Sequence, residues 1–323
     1  MHMPDGYINA ATAVGGAAVA AGGIWASLRQ SGRHLREKQI PMAGLTAAFV
    51  FAVQMLNFPV AAGTSGHLLG GALAAILLGP WMGALVVTVV VVVQALLFAD
   101  GGIVALGLNV LNMALVTVLV GWLAFRVLMR VLPKTTGGAI GATMAAGFFG
   151  VLGSSTAFVI EYAIGGLGGA PLTTVFATMT GVHALIGIGE GLISGVAVGS
   201  VLAVRPDLVT ATADLGLRRT ATAPGRRTVT AFVAVGLGVA LALVFFVAPF
   251  ASTDPDGLER VAIDQGFSAG AQDHPIEGPL SDYGVSGLES DQVGTMLAGA
   301  IGVFVVFGLG LGLVSVIRRR RTA

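Results

Sequence analysis

Nine apolar stretches, near residues 7–28, 41–58, 67–79, 81–98, 103–128, 138–164, 179–204, 229–250 and 293–317, follow one another, most of them separated by short polar breaks. A chain written this way has too little polar surface to fold in water. Charged residues make up 10% of it, against roughly 25% in ordinary soluble domains, and the mean hydropathy is +0.89. The pattern predicts an all-α polytopic membrane helix bundle of about nine transmembrane helices. The stretches at 67–79 and 81–98, parted at Gly79-Pro80, are short for a hydrocarbon core of about 30 Å. They read either as oblique spans or as one bent hairpin.

The basic residues test this count independently. If the N-terminus lies outside, the loops at 29–40, 126–137 and 205–228 and the C-terminal tail all fall inside. These stretches hold Arg29, Arg33, Arg36, Lys38, Arg126, Arg130, Lys134, Arg205, Arg218, Arg219, Arg226, Arg227 and Arg318 to Arg321, and of the 17 basic residues only Arg260 lies elsewhere. Such segregation follows the positive-inside rule and predicts an odd span count, with the N-terminus outside and the C-terminus cytoplasmic. The chain is expected in a prokaryotic plasma membrane, against lipid. The net charge of +1 gives no reason to expect nucleic acid as a partner, because the positive residues serve topology. With no cysteine, disulfides, thiolate metal sites and cysteine catalysis are excluded.

The first residues, Met1-His2-Met3-Pro4-Asp5-Gly6-Tyr7, put an amine, a peptide nitrogen and an imidazole within two positions of each other. A metal held by the Met1 amine, the deprotonated His2 amide and the near ring nitrogen of His2 closes two fused chelate rings. One more ligand completes a square plane, a geometry that suits Ni(II) or Cu(II). No Lys or Arg precedes the first apolar run, whereas Asp5 does, so a cleaved signal peptide is not expected. Met1 is expected to survive processing because His2 is bulky. His67 follows a glycine-bearing loop at the matching depth and supplies the natural fourth nitrogen, with Asn57, Thr64 and Ser65 placed to orient it.

Ionisable residues inside apolar stretches are costly and therefore candidates for function. His183 and Glu190 lie about two helical turns apart on one face. They can serve as metal ligands, as a proton relay or as an interhelical polar clamp, and the clamp or a supporting role beside the metal ligands is favoured. Gln94, Asp100, Asn109, Asn112 and Glu161 complete the buried or interfacial polar set. The 49 glycines, concentrated in stretches such as Gly63 to Gly71 and Gly137 to Gly153, predict close helix packing in lipid.

Several of these segments stand in order and spacing over roughly residues 1–204: Met1 to Gly6, Ser65 to Gly71, Gly79-Pro80-Trp81, Gln94 to Gly102, Gly107-Leu108-Asn109 and His183 to Glu190. Together they resemble the cobalt/nickel substrate-binding membrane component of energy-coupling-factor (ECF) transporters, an ABC importer class. That resemblance implies metal ligation by Met1, His2 and His67, with Ni(II) or Co(II) as transported substrate and no permanently bound cofactor. It also implies assembly with a transmembrane scaffold subunit and two ATPase subunits. The chain has no Gly-x-x-x-x-Gly-Lys-Ser/Thr phosphate loop, so it is expected to be a transporter subunit and not an enzyme.

After Pro206 the composition shifts. A metal-binding membrane domain of about seven helices is expected over 1–206, a polar cytoplasmic linker over 207–228, and a two-helix domain over 229–323 whose extracytoplasmic loop spans 251–292. The loop contains Asp254-Pro255-Asp256-Gly257-Leu258-Glu259-Arg260 and resembles the PDGLE accessory domain of these transporters. Its acidic residues do not fit the EF-hand pattern. The main alternative function is a secondary divalent-metal carrier coupled to protons through His183 and Glu190. A metalloenzyme is weak, because no His-Glu-x-x-His pair occurs.

Overall fold

The computed structural model describes residues 1–34, 39–61, 63–213, 226–276, 278–288 and 290–322. Its helices are α1 (Ala10–His34), α2 (Gln39–Gln54), α3 (Gly71–Leu78), α4 (Pro80–Leu97), α5 (Leu106–Val110), α6 (Thr117–Val131), α7 (Thr136–Gly165), α8 (Leu172–Val204), α9 (Arg226–Phe246), α10 (Gly257–Asp264) and α11 (Asp291–Thr322). A π-helical turn at Leu111–Val116 joins α5 to α6 into one continuous rod. A small antiparallel hairpin, β1 (Phe58–Ala61) and β2 (Thr64–Gly66), precedes His67.

Every expected apolar stretch contains a helix, and about seven of the nine are full-length apolar spans. Among the described residues, seven helical segments are long and apolar enough to cross a membrane: α1, α4, α5–α6, α7, α8, α9 and α11. The other two are short for a physical reason. In α3, all eight residues are buried and none meets lipid, so this helix is free of the length a bilayer imposes. Glycine sets both its ends: Gly70 at φ +79° and Gly79 at φ +87° take backbone conformations that other residues rarely adopt. Helix α2 has 16 residues, of which twelve are buried. It lies between the core helices and the C-terminal pair, with Gly310 against Gly44 and Gly302 against Phe51.

Chain alternation sorts the loops to two poles. Gln54 Nε2 donates to the Leu69 carbonyl (2.9 Å) at one end of α2, and Gln39 Nε2 donates to the Leu78 carbonyl (3.2 Å) at the other. The first pole gathers the N-terminal segment, the 55–70 hairpin, the 98–105 loop, the α7–α8 turn and the stretch between α9 and α11. The C-terminal ends of α1, α3, α6 and α8 and the starts of α2, α4, α7 and α9 lie at the second pole. There Arg205 pairs with Asp207 (2.8 and 3.0 Å) and covers the Phe232 ring. Of the expected linker 207–228, residues 214–225 lie outside the described residues. Arg36, Lys38, Arg218 and Arg219 also lie outside them.

Helices α7 and α8 approach closely enough that side chains are excluded between them. A Cβ on Gly147 would stand 3.0 Å from the Gly191 Cα, and one on Gly191 would stand 2.5 Å from the Met144 carbonyl oxygen. Small-residue contact of this kind drives helix association where lipid removes the hydrophobic incentive. Gly191→Val should therefore cost ~1–3 kcal/mol through forced separation of the pair. Thermal unfolding in detergent should show a lowered midpoint for that variant, whereas Gly181→Ala, facing open space, should leave the midpoint unchanged.

A candidate metal centre at the folded-back N-terminus

The N-terminal segment turns inward because Asn109 of α5 takes up its main chain and its own Asp5 caps the start of that helix. The Asn109 side chain bridges Met3 in both directions: Met3 N donates to Oδ1 (2.9 Å), and Nδ2 donates to the Met3 carbonyl (3.0 Å). Two residues on, the Asp5 carboxylate accepts from Val104 N (3.2 Å) and Ala105 N (2.8 Å), at the start of α5. These anchors bury Met1 and Met3. They also carry the amine into the protein.

There Met1 N lies 3.1 Å from His67 Nε2, and the rings of His2 and His67 are 5.3 Å apart between centroids. Two ligands at right angles on one ion are about 2.9 Å apart when each bond is ~2 Å, so the Met1 and His67 nitrogens stand near the spacing of neighbouring donors. His67 Nδ1 donates to the Leu68 carbonyl (2.9 Å), which leaves Nε2 as the lone-pair nitrogen facing Met1. Behind this loop the Glu190 carboxylate accepts from Leu69 N (2.6 Å) and Gly70 N (3.0 Å). That contact fixes the backbone carrying His67 to α8.

Met1, His2 and His67, expected from the sequence as one ligand set, are thus brought together. Glu190 touches the His67 loop directly. His183 lies beneath the start of α10, where a Cβ on Gly257 would come within 3.0 Å of its ring, and its Nδ1 donates to the Met179 carbonyl (2.8 Å). Ser65 is engaged with the C-terminal domain, its hydroxyl donating to the Asp254 carbonyl (2.7 Å) and its N–H to the Pro255 carbonyl (2.9 Å). Thr64 is buried in β2, and the Asn57 carbonyl accepts from Ser252 N (2.8 Å). Orientation of His67 comes from Leu68.

Two carboxylates that sequence reasoning left out of the ligand set complete the site. Asp256 forms an ion pair with the Met1 amine and stands 3.6 Å from His67 Nε2. Asp100 Oδ1 comes within 3.4 Å of His2 Nδ1, while its Oδ2 accepts from the Tyr283 hydroxyl (2.6 Å). Phe98 stacks on Tyr283 at 4.9 Å. Position gave the missing signal for Asp256, at the heart of the PDGLE segment. A cleft of about 740 Å³, lined by His2, His67, Asp100, Asp256 and Tyr283 among others, leads to these groups.

Burial dominates the electrostatics of His2, pushing its imidazole down to about 4 despite the opposing pull of Asp100. The Asp100 approach is therefore a contact with a neutral ring. Burial pushes the Asp256 carboxyl up, but the Met1 ammonium above all, with the Glu259 N–H, outweighs it and holds the group well below the usual carboxylate range. The candidate donors from the sequence include the chain terminus and a peptide nitrogen, which are not side chains. Among the described residues, no group of three or more His, Cys, Asp or Glu side chains could hold a metal ion by itself.

A bundle of long apolar helices with an inward-turned N-terminus at one pole defines a multi-pass membrane protein. Residues 2–208 match the family described as the cobalt uptake substrate-specific transmembrane region, and residues 230–319 match the PDGLE domain. The chain is 38% identical to a putative fused nickel transport protein of Archaeoglobus fulgidus, with 100% of each chain covered. It is 29% identical to a fused nickel transport protein of Rhodobacter capsulatus, with 99% of each covered. A crystal structure titled as a truncated transition metal transporter superposes with a TM-score of 0.56 at 29% identity, covering 63% of this chain and 99% of that one. The chain belongs to this cobalt/nickel-type membrane transport family, related to ECF-type systems, with a PDGLE domain at its C-terminus. It is a transport protein and not an enzyme.

One pH dependence follows from His2. The folded protein holds this imidazole neutral down to about 4, whereas the unfolded chain takes up the proton near 6.5. The unfolded state therefore binds more protons between these values, and stability falls as pH is lowered through that window. Denaturation midpoints measured from pH 7 to pH 4 should fall more steeply for wild type than for His2→Gln, which lacks the group that takes up a proton on unfolding.

Proposed function

We propose that this chain is the substrate-specific subunit of an ECF-type importer. It captures Ni(II) or Co(II) outside the cell through the Met1 amine, the His2 amide and imidazole, and His67 Nε2. It then delivers the ion by association with a membrane scaffold and two ATPase subunits. The observation that carries this reading is the 3.1 Å approach of Met1 N to His67 Nε2 beside the His2 ring, in a buried pocket at the head of a cleft. Support for an external site comes from the described basic residues at helix ends: Arg29, Arg126, Arg130, Lys134 and Arg205 stand at the other pole. In this reading α2 and α3 also count as passes, and nine passes put the N-terminus outside and the C-terminus in the cytoplasm. Relatives named for nickel transport align along the whole chain, and others are named for cobalt. Residues 1–206 form the metal-binding domain in this reading, and 229–323 the accessory domain.

Glu190 is better explained as a clamp than as a proton carrier, since both of its oxygens are engaged by the Leu69 and Gly70 amides. Capture should weaken in acid, because protons compete for the amine and the imidazoles. Isothermal titration of purified protein with Ni(II) tests the site directly. Converting the Met1 amine to an amide by an N-terminal extension, or His67→Ala, should abolish high-affinity binding; retained affinity in either would overturn the site. Glu190→Gln turns an amide NH2 toward a backbone donor and should lower affinity roughly 10–100-fold by displacing the His67 loop. A carrier coupled through Glu190 would instead keep its affinity and lose proton-driven uptake.

A further inference from the structure

The accessory domain does more than lie beside the pocket. Its 252–259 segment is tied to the strand that presents His67, through Ser65 to the carbonyls of Asp254 and Pro255 and through Asn57 to Ser252. This brings the start of α10 over the site. Asp256 caps that helix with only one of its oxygens: Oδ1 accepts from Leu258 N (2.8 Å) and Glu259 N (2.9 Å). The cap fixes the carboxylate and leaves Oδ2 directed at Met1 N and His67 Nε2. One oxygen holds the helix, and the other faces the ion.

We infer that Asp256 is itself part of the metal centre, giving the bound divalent ion a fifth, oxygen donor that the cobalt/nickel-binding half lacks. This rests on the nitrogen site proposed above. Charge gives the physical reason. A divalent ion held by a neutral amine, an anionic amide and two neutral imidazoles retains one net positive charge, and burying such a charge unpaired is expensive. Asp256 Oδ2 already meets the positive charge of the Met1 ammonium in the same place, so the carboxylate serves as counter-charge to whichever cation occupies the pocket. Asp100 is differently placed: it is partly exposed beside His2 and held by the Tyr283 hydroxyl, again from the accessory domain. An oxygen donor also matters for selection. A purely planar nitrogen set favours Cu(II), whereas an added oxygen moves the site toward the higher coordination that Ni(II) and Co(II) accept.

The experiment uses the full chain in detergent. Asp256→Asn keeps the shape and the helix cap but removes the charge, and Asp264→Asn, exposed on the same helix, is the control. Nickel titration should show affinity roughly 10–100-fold weaker in D256N and unchanged in D264N. The X-ray absorption edge should lack the feature of four-coordinate planar nickel in wild type and show it in D256N. Unchanged affinity in D256N overturns the inference, and so does tighter binding, which would make Asp256 a plug that the ion must displace. If D256N fails to fold, the wild-type edge decides alone: the planar feature there overturns the inference. Failure of the nitrogen site is separately visible, because His67→Ala would then retain nickel whatever D256N does.

Discussion

The two-way hydrogen-bond pair between the Asn109 side chain and the main chain of Met3 is the contact on which the site depends. A chain terminus ordinarily frays into solvent, because nothing repays the entropy of holding it. Here Met1, Met3 and Asp5 are buried, and each main-chain polar group of this segment needs a partner if it is to stay inside. Asn109 meets both groups of Met3, and Asp5 meets two N–H groups at the mouth of α5. With the strand so fixed, the terminal nitrogen has only one place to go. It arrives beside His67.

Much of this was legible in the residues. The apolar stretches located every helix but α10, which lies in the expected 251–292 loop, and sparse polar residues within them make contacts in the fold: Asn109 with Met3, Glu190 with the His67 loop, Asn112 with Glu161 (2.9 Å). Hydropathy misjudged lengths where burial replaces lipid. Helix α3 is as apolar as a span, yet it is enclosed on all sides, and hydropathy alone does not separate a core helix from a membrane one. The grouping of Met1, His2 and His67 followed from chelate chemistry and matching depth.

What the sequence concealed lay across the chain. Asp256 is 255 residues from Met1, and Tyr283 is 183 from Asp100. No spacing rule spans such distances. The acidic character of the PDGLE segment was visible, but its seat over the pocket depends on the Ser65 contacts and on α9 and α11 packing along α2. The fused domain is therefore a second wall of the pocket, reached through a helix cap whose preference for aspartate would by itself explain the residue.

The grip of Glu190 on Leu69 and Gly70 has a mechanical side. Helix α8 has 33 residues and runs from one pole to the other, and this carboxylate is its handhold on the turn that presents His67. Parting them strands two buried N–H groups at ~1–3 kcal/mol apiece. A push applied far down the rod is thus transmitted to the imidazole before the joint yields.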